Sequence, residues 1–271
     1  MICSILFWAL IGPAAPATMT YKDVGSTSLQ MDVYSAPGDA VPCVIVIHGG
    51  AWIGGARGEL AALCRAIAAQ GMTAVNVDYR LAPVTKWPAM IEDVQDAVRY
   101  VRDHAEELHV DPKRIGAAGA SAGGHLALLL GTTDGWPDGK QKGKTSSKVV
   151  AVLNLFGPTD LTQDYPLAMA SLLSEQVIGK SLVDAAGDIK EMSPVNHVTS
   201  DDAPVFTVQG KDDKTVPYVQ AERLDKALAA KKIDHKTVIV DGMKHGIDLN
   251  NKGEVDAVRD GIAFLQRELT K

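Results

Sequence analysis

Gly119-Ala120-Ser121-Ala122-Gly123-Gly124 follows an apolar, strand-like segment, residues 114–118, and its reading decides how the rest of the chain is understood. A serine on a sharp turn between a strand and a helix needs small neighbours on both sides, because the two elements approach each other there. Gly119, Ala120, Ala122 and Gly123 meet that demand. An ordinary tight turn into a helix would read the same way, so the assignment rests on partners elsewhere in the chain.

One partner lies upstream. Val44-Ile45-Val46-Ile47 is a continuous β-branched run that breaks into His48-Gly49-Gly50-Ala51-Trp52. Such a run predicts a parallel strand buried on both faces and ending in a loop. Glycines in that loop let backbone N–H groups approach a ligand closely, which suits an oxyanion hole for a tetrahedral acyl intermediate. The candidate donors are Gly50 and Ala51, with a third from Ala122 after the serine.

Two more partners lie downstream. The strand-like run 204–209 is followed by Gly210-Lys211-Asp212-Asp213-Lys214, and an acidic residue just past a strand end can orient a histidine. Asp212 and Asp213 compete for that role. A last strand, 235–240, leads into a loop in which His245 sits between Gly242 and Gly246. His245 is the candidate general base. The resulting chain order, serine, acid, histidine, is that of the α/β-hydrolases and differs from the other two common serine-triad orders. His104, His109, His125, His197 and His235 lack this context and read as surface or structural residues.

Taken together, His48-Gly49-Gly50-Ala51-Trp52, residues 78–83, Trp87-Pro88-Ala89, residues 111–115, residues 119–124 and Gly157-Pro158-Thr159-Asp160-Leu161 resemble the esterase and lipase branch of the α/β-hydrolase superfamily. The likeness is to the hormone-sensitive-lipase-like and BD-FAE-type carbohydrate esterases in particular. It implies a mostly parallel sheet of about eight strands with helices on both faces. It further implies ester hydrolysis through an acyl-enzyme, without metal or cofactor. The family pattern places its acid three residues after the glycine and three before a Val-Pro pair, which selects Asp213. Ala51 departs from the pattern where lipase-type relatives often carry a third glycine, and Gln209 departs where relatives often have His, a position read as structural. Asp78 and Arg80 take a scaffold role in this reading. Short acyl groups are the implied substrates, with acetyl or feruloyl esters of plant polysaccharide as the natural class. Two other readings stand beside this one: a small serine peptidase of the same superfamily, and a catalytically silent binding protein on a hydrolase scaffold.

Composition is consistent with this. The chain has 271 residues, 46% hydrophobic and 22% charged, which suffices for one α/β domain over 18–271. A net charge of −6 and the lack of a long basic stripe argue against nucleic acid as a partner. The opening run Met1-Ile2-Cys3-Ser4-Ile5-Leu6-Phe7-Trp8-Ala9-Leu10-Ile11, followed by Gly12-Pro13-Ala14-Ala15-Pro16-Ala17, predicts a signal peptide over 1–17 and export to the periplasm or beyond. No Lys or Arg precedes the run, and a cytoplasmic location is the alternative. The run is short for a membrane span. Cys43 and Cys64 read as two separate buried thiols, and no C-x-x-C or H-E-x-x-H spacing suggests a metal. Residues 139–145 glance at a phosphate loop, but Gly139 and Gly143 stand one residue too close together. The segment reads as a solvated loop.

Patterning predicts a hairpin from 21–23 and 29–34, a helix over 59–70, a strand over 73–78 and a helix over 89–104. After the elbow helix, 122–130, come a strand over 149–156 and helices over 219–231 and 254–269. The span 159–200 follows a strand end and is the candidate for a partial lid and acyl pocket. Trp52, Phe156, Leu161 and Tyr165 are the candidate substrate-binding residues.

Overall fold

A computed structural model describes residues 15–136 and 145–271 of the chain. The leader expected over 1–17 falls outside the described residues except for its last three, and so does most of the loop expected over 139–145. The first strand, β1 (Ala17–Val24), opens on the residue after which cleavage is predicted, with Ala17 opposite Val33.

The run Val44-Ile45-Val46-Ile47 lies within β3 (Val41–Ile47), and its four side chains are fully buried. Successive side chains of a strand point to opposite faces, so a run apolar at every position needs cover on both. Ile45 and Ile47 enter one core with α2 (Ala89–Asp103), α3 (Ala122–Thr132) and α6 (Val219–Lys231). Val44 and Val46 enter a second core with α1 (Ala61–Ala68) and α7 (Lys252–Leu269). Between these layers the remaining strands are β2 (Thr27–Tyr34), β4 (Thr73–Val77), β5 (Val110–Ala120), β6 (Val152–Leu155), β7 (Val205–Gly210) and β8 (His235–Val240).

The eight strands form one sheet in the order β1-β2-β4-β3-β5-β6-β7-β8. β2 is antiparallel to β1 and β4, and every pairing from β4 to β8 is parallel. The hairpin at one edge and the central position of the serine strand are as the sequence predicts. Small differences have local causes. The helix expected over 59–70 begins with a 3-10 turn, Arg57–Leu60, before α1. β6 stops short of Phe156, whose φ of 43° is left-handed and leaves the strand conformation. Within 159–200 the chain forms α4 (Leu167–Leu172), a π-helical turn (Leu173–Ile178), α5 (Ala186–Met192) and a 3-10 turn (Pro194–Asn196).

Three features expected to be structural are so. Arg80 makes a two-pronged ion pair with the buried Asp93, with Nε and Nη2 each 2.7 Å from a carboxylate oxygen. Arg57 pairs with Asp78. Cys43 and Cys64 are buried and unpaired, and burial pushes both thiols up to about 12, so they stay protonated and act as small apolar fillers. No described helix is long and apolar enough to cross a membrane.

His125, on the buried helix α3, is fully enclosed and donates from Nε2 to the Met192 carbonyl at 2.7 Å. Burial lowers its pKa to about 4 from 6.5, against the opposing effect of that bond. The folded state therefore holds the imidazole neutral where the unfolded chain takes up a proton. Stability is complete above the unfolded value and is lost as pH falls from about 6.5 to about 4, by about 3 kcal/mol. Urea unfolding across that range should show the slope, and His125→Gln should lack this contribution.

Candidate active site

All the residues singled out for chemistry stand at the carboxyl ends of parallel strands, where open α/β sheets bind ligands. β5 delivers Ser121, which takes φ 55° and ψ −121°, a strained conformation characteristic of residues held by their surroundings. The strain follows from how closely α3 starts beside the sheet. A Cβ on Gly123 would lie 2.0 Å from the carbonyl oxygen of Ile47 and 2.5 Å from that of His48, and one on Gly119 would lie 2.2 Å from that of Gly123. Only glycine fits at these positions. The turn thus pins the start of α3 against the end of β3.

Ser121, His245 and an aspartate meet in a chain of hydrogen bonds. Ser121 Oγ lies 2.8 Å from His245 Nε2, and His245 Nδ1 lies 2.7 Å from Asp213 Oδ2. With Nδ1–H donating to the carboxylate, Nε2 is left to accept the serine proton. The Asp213 side chain is fully buried, whereas His245 keeps partial exposure. Asp212 is exposed, and its backbone N–H donates to the Met243 carbonyl at 3.0 Å. The two loops are held together by close backbone contact: a Cβ on Gly210 would lie 2.3 Å from the Met243 oxygen.

A buried carboxylate stays ionised only when hydrogen bonds replace its water. Asp213 Oδ1 accepts from the backbone N–H groups of Thr215 at 2.8 Å and Val216 at 2.9 Å. Oδ2 accepts from Gln209 Nε2 at 3.1 Å as well as from His245. Gln209 is fully buried and also donates to the Val216 carbonyl at 2.9 Å. Sequence reading gave Gln209 a merely structural place, yet it touches the carboxylate that orients His245. Its position at the end of β7, four residues before Asp213, and its departure from the family pattern are the signals that could have marked it.

The glycine loop after β3 turns back on itself. Gly50, Ala51 and Trp52 all have positive φ, of 103°, 51° and 62°. Ala51 thus adopts the left-handed conformation that a third glycine would take more easily. The Gly50 carbonyl accepts from Ile53 and Gly54, each at 3.0 Å. Tyr79 Oη is 3.2 Å from the carbonyls of both His48 and Gly49, and His48 stacks on the Tyr79 ring at 4.3 Å. The loop's carbonyls are thereby occupied, while the N–H groups of Gly50 and Ala51 make no hydrogen bond among the described residues. Ala122 opens α3, where a helix N–H has no partner within the helix.

A cavity of about 1150 Å³ opens beside Ser121, and Gly49, Ala51, Phe156, Met169 and His245 are among its lining residues. Phe156 meets the His245 ring edge to face at 5.0 Å. The other three residues expected to line a pocket do not. Trp52 is buried against His125, at 5.1 Å, in the core on the α2–α3 face, and Leu161 is buried in the same core. Tyr165 packs on that core too. From 159–200 only Met169 reaches the cavity, so this segment supplies little of the wall expected of it. Apolar character alone could not separate residues that cover the sheet from residues that face open space. Among the described residues no cluster of His, Cys, Asp and Glu is suited to a metal ion.

This sheet order, with a serine at the turn from β5 to α3 and a histidine after β8, defines the α/β-hydrolase fold. The BD-FAE family model matches residues 31–228, and the chain belongs to that family. Esterase LipC of Mycobacterium tuberculosis is 31% identical over 243 residues, which is 86% of this chain and 60% of LipC. The chain thus spans less than two thirds of that relative. Among solved structures, the propionate-bound esterase Est2 of Thermogutta terrifontis superposes with a TM-score of 0.80 at 25% identity, covering 93% of this chain and 94% of its own. A truncated carbohydrate esterase from gut microbiota gives 0.80 at 26% identity, covering 96% and 100%.

The close approach at the elbow can be tested directly. Gly123→Ala should destabilise the fold by about 3 kcal/mol, since backbone on both sides blocks the added methyl. Thermal or urea unfolding reads this, and a wild-type midpoint in the variant would show that the turn has room.

Proposed function

We propose that this protein is a serine carboxylic ester hydrolase that works through an acyl-enzyme. The observation that carries the reading is the hydrogen-bonded chain from Ser121 through His245 to Asp213, at 2.8 and 2.7 Å. His245 Nε2 takes the proton of Ser121 as Oγ attacks the ester carbonyl, and Asp213 fixes the imidazole tautomer and balances its positive charge. The carbonyl oxygen becomes an oxyanion, received by the N–H groups of Gly50, Ala51 and Ala122. His245 then gives its proton to the departing alcohol. Water repeats the cycle on the acyl-enzyme, with His245 again as base.

Membership in the BD-FAE family and likeness to named esterases support this reaction. The complete serine–histidine–aspartate chain speaks against a silent scaffold. A short acyl group is supported by the propionate held by the Thermogutta relative and by Phe156 packed on the His245 ring. Acetyl or feruloyl groups on plant polysaccharide rest on the likeness to a carbohydrate esterase. The leader-like opening run supports export of the enzyme.

Ser121→Ala should lower turnover of p-nitrophenyl acetate by about a millionfold and abolish labelling by a fluorophosphonate, with the circular dichroism spectrum unchanged. Retained turnover in that variant would refute the mechanism. For the acid, Asp213→Asn should cost about 10⁴-fold in kcat because the amide favours the wrong imidazole tautomer. Asp212→Asn, at an exposed site, should leave kcat within a few-fold of wild type, and steady-state kinetics of the two variants side by side distinguish the roles.

A further inference from the structure

The cavity beside Ser121 does not end at the reacting atoms. It runs on between α1 and α7, with Ala62, Leu63 and Ala66 on one wall and Val255, Val258 and Ile262 on the other. Gln70, Arg259 and Asp260 add polar groups to its lining. α1 runs about 12 Å at the helical rise along one side of the groove.

The sheet explains why the two helices leave this space. α1 packs on β2 and β4, whereas α7 packs on β5 through β8. From β4 to β6 there are three strand spacings, or about 14 Å, well beyond the 8–10 Å at which helices pack together. On this face the intervening strands carry Val44, Val46, Ala118 and Ala120, too small to fill the gap.

Direction follows from the proton transfer. In the tetrahedral intermediate the leaving oxygen must lie near His245 Nε2, which protonates it. Gly246, Ile247 and Leu249 of the histidine's own loop line the groove, and Leu249 is 71% exposed.

We infer that the groove between α1 and α7 binds an extended alkyl chain on the alcohol side of the ester, so that Ala66 sets specificity for the leaving group. This rests on the esterase reading, and it turns the preference away from sugar hydroxyls toward esters of apolar alcohols. An aliphatic wall gains from burying methylene groups and offers a polysaccharide few partners for its hydroxyls.

The test compares kcat/KM for ethyl acetate and octyl acetate in wild type and in Ala66→Trp, a substitution at an exposed position. Wild type should prefer octyl acetate at least tenfold, and the tryptophan should erase that preference by lowering the octyl acetate value to that of ethyl acetate. An unchanged octyl-to-ethyl ratio in the variant overturns the assignment. So does an effect confined to acyl length, seen as loss of p-nitrophenyl octanoate turnover alone. Calorimetric binding of octyl acetate to Ser121→Ala protein, with and without Ala66→Trp, reads the groove without turnover. Binding weakened at least tenfold by the tryptophan supports the groove even if no ester is hydrolysed, an outcome that would refute the esterase reading by itself. Binding that ignores the tryptophan counts against the groove.

Discussion

The contact between the first turn of α3 and the end of β3 is the constraint on which the site depends. Gly123 stands so near the Ile47 and His48 carbonyls that no side chain fits between them. This closeness forces Ser121 into its left-handed conformation at the apex of the turn. The same contact brings the glycine loop after β3 alongside the serine, so that an ideal Cβ on Gly49 would lie 3.3 Å from that of Ser121. One steric fact therefore fixes both Ser121 and the N–H groups that would receive an oxyanion beside it. Such preorganisation stabilises a transition state because no reorientation is needed when charge develops.

Asp213 has the opposite problem, since its burial is costly unless every oxygen is served. Two backbone donors hold Oδ1, while Gln209 and His245 share Oδ2. The arrangement has a cost at Gln209, whose Oε1 is buried without a hydrogen-bond partner among the described residues. An unsatisfied buried acceptor costs about 1–3 kcal/mol. That cost is tolerated where it stabilises a charge, because a hydrogen bond to an ion is worth about 1.5–3 kcal/mol, more than one between neutral groups. A network with one strained member of this kind is a mark of a site arranged for charge and not for stability alone.

The sheet and the triad geometry were legible in the sequence because they rest on local signals. Continuous β-branched runs, glycines at strand ends and helical spacing gave all eight strands and the main helices, with β1 and β5 each starting four residues before the expected limit, and with the last strand and α6 met at both ends. The choice between Asp212 and Asp213 was not local. Both follow β7, and only burial of one and exposure of the other separates them, which the family pattern anticipated and spacing did not. The pocket was illegible for a related reason. Trp52, Leu161 and Tyr165 have the character of lining residues, but their apolar surface goes to the core on the α2–α3 face. The real walls are small residues on α1 and aliphatic ones on α7, more than 180 positions apart in sequence, and their facing each other depends on strand order.

That dependence also explains why the groove does not close. α7 is anchored by Phe264, Leu265 and Leu269, and its Gly261 lies so close to the sheet that a Cβ would be 2.5 Å from Leu153 Cδ1. α1 is anchored by Leu63, Cys64 and Ile67. Moving either helix toward the other would bury apolar surface in the groove at roughly 25 cal/mol per Å², but would expose larger side chains already buried against the strands. The sheet-facing rows win because they hold Phe, Leu and Ile, while the groove side of α1 is largely alanine. On α1 the groove row, Ala62 and Ala66, is thus largely distinct from the sheet row, Cys64 and Ile67, with Leu63 shared between them. Alanines along the groove can change in size without loosening the rows that hold each helix to the sheet, and the hydrogen-bonded chain of Ser121, His245 and Asp213 at the strand ends stays fixed as they do.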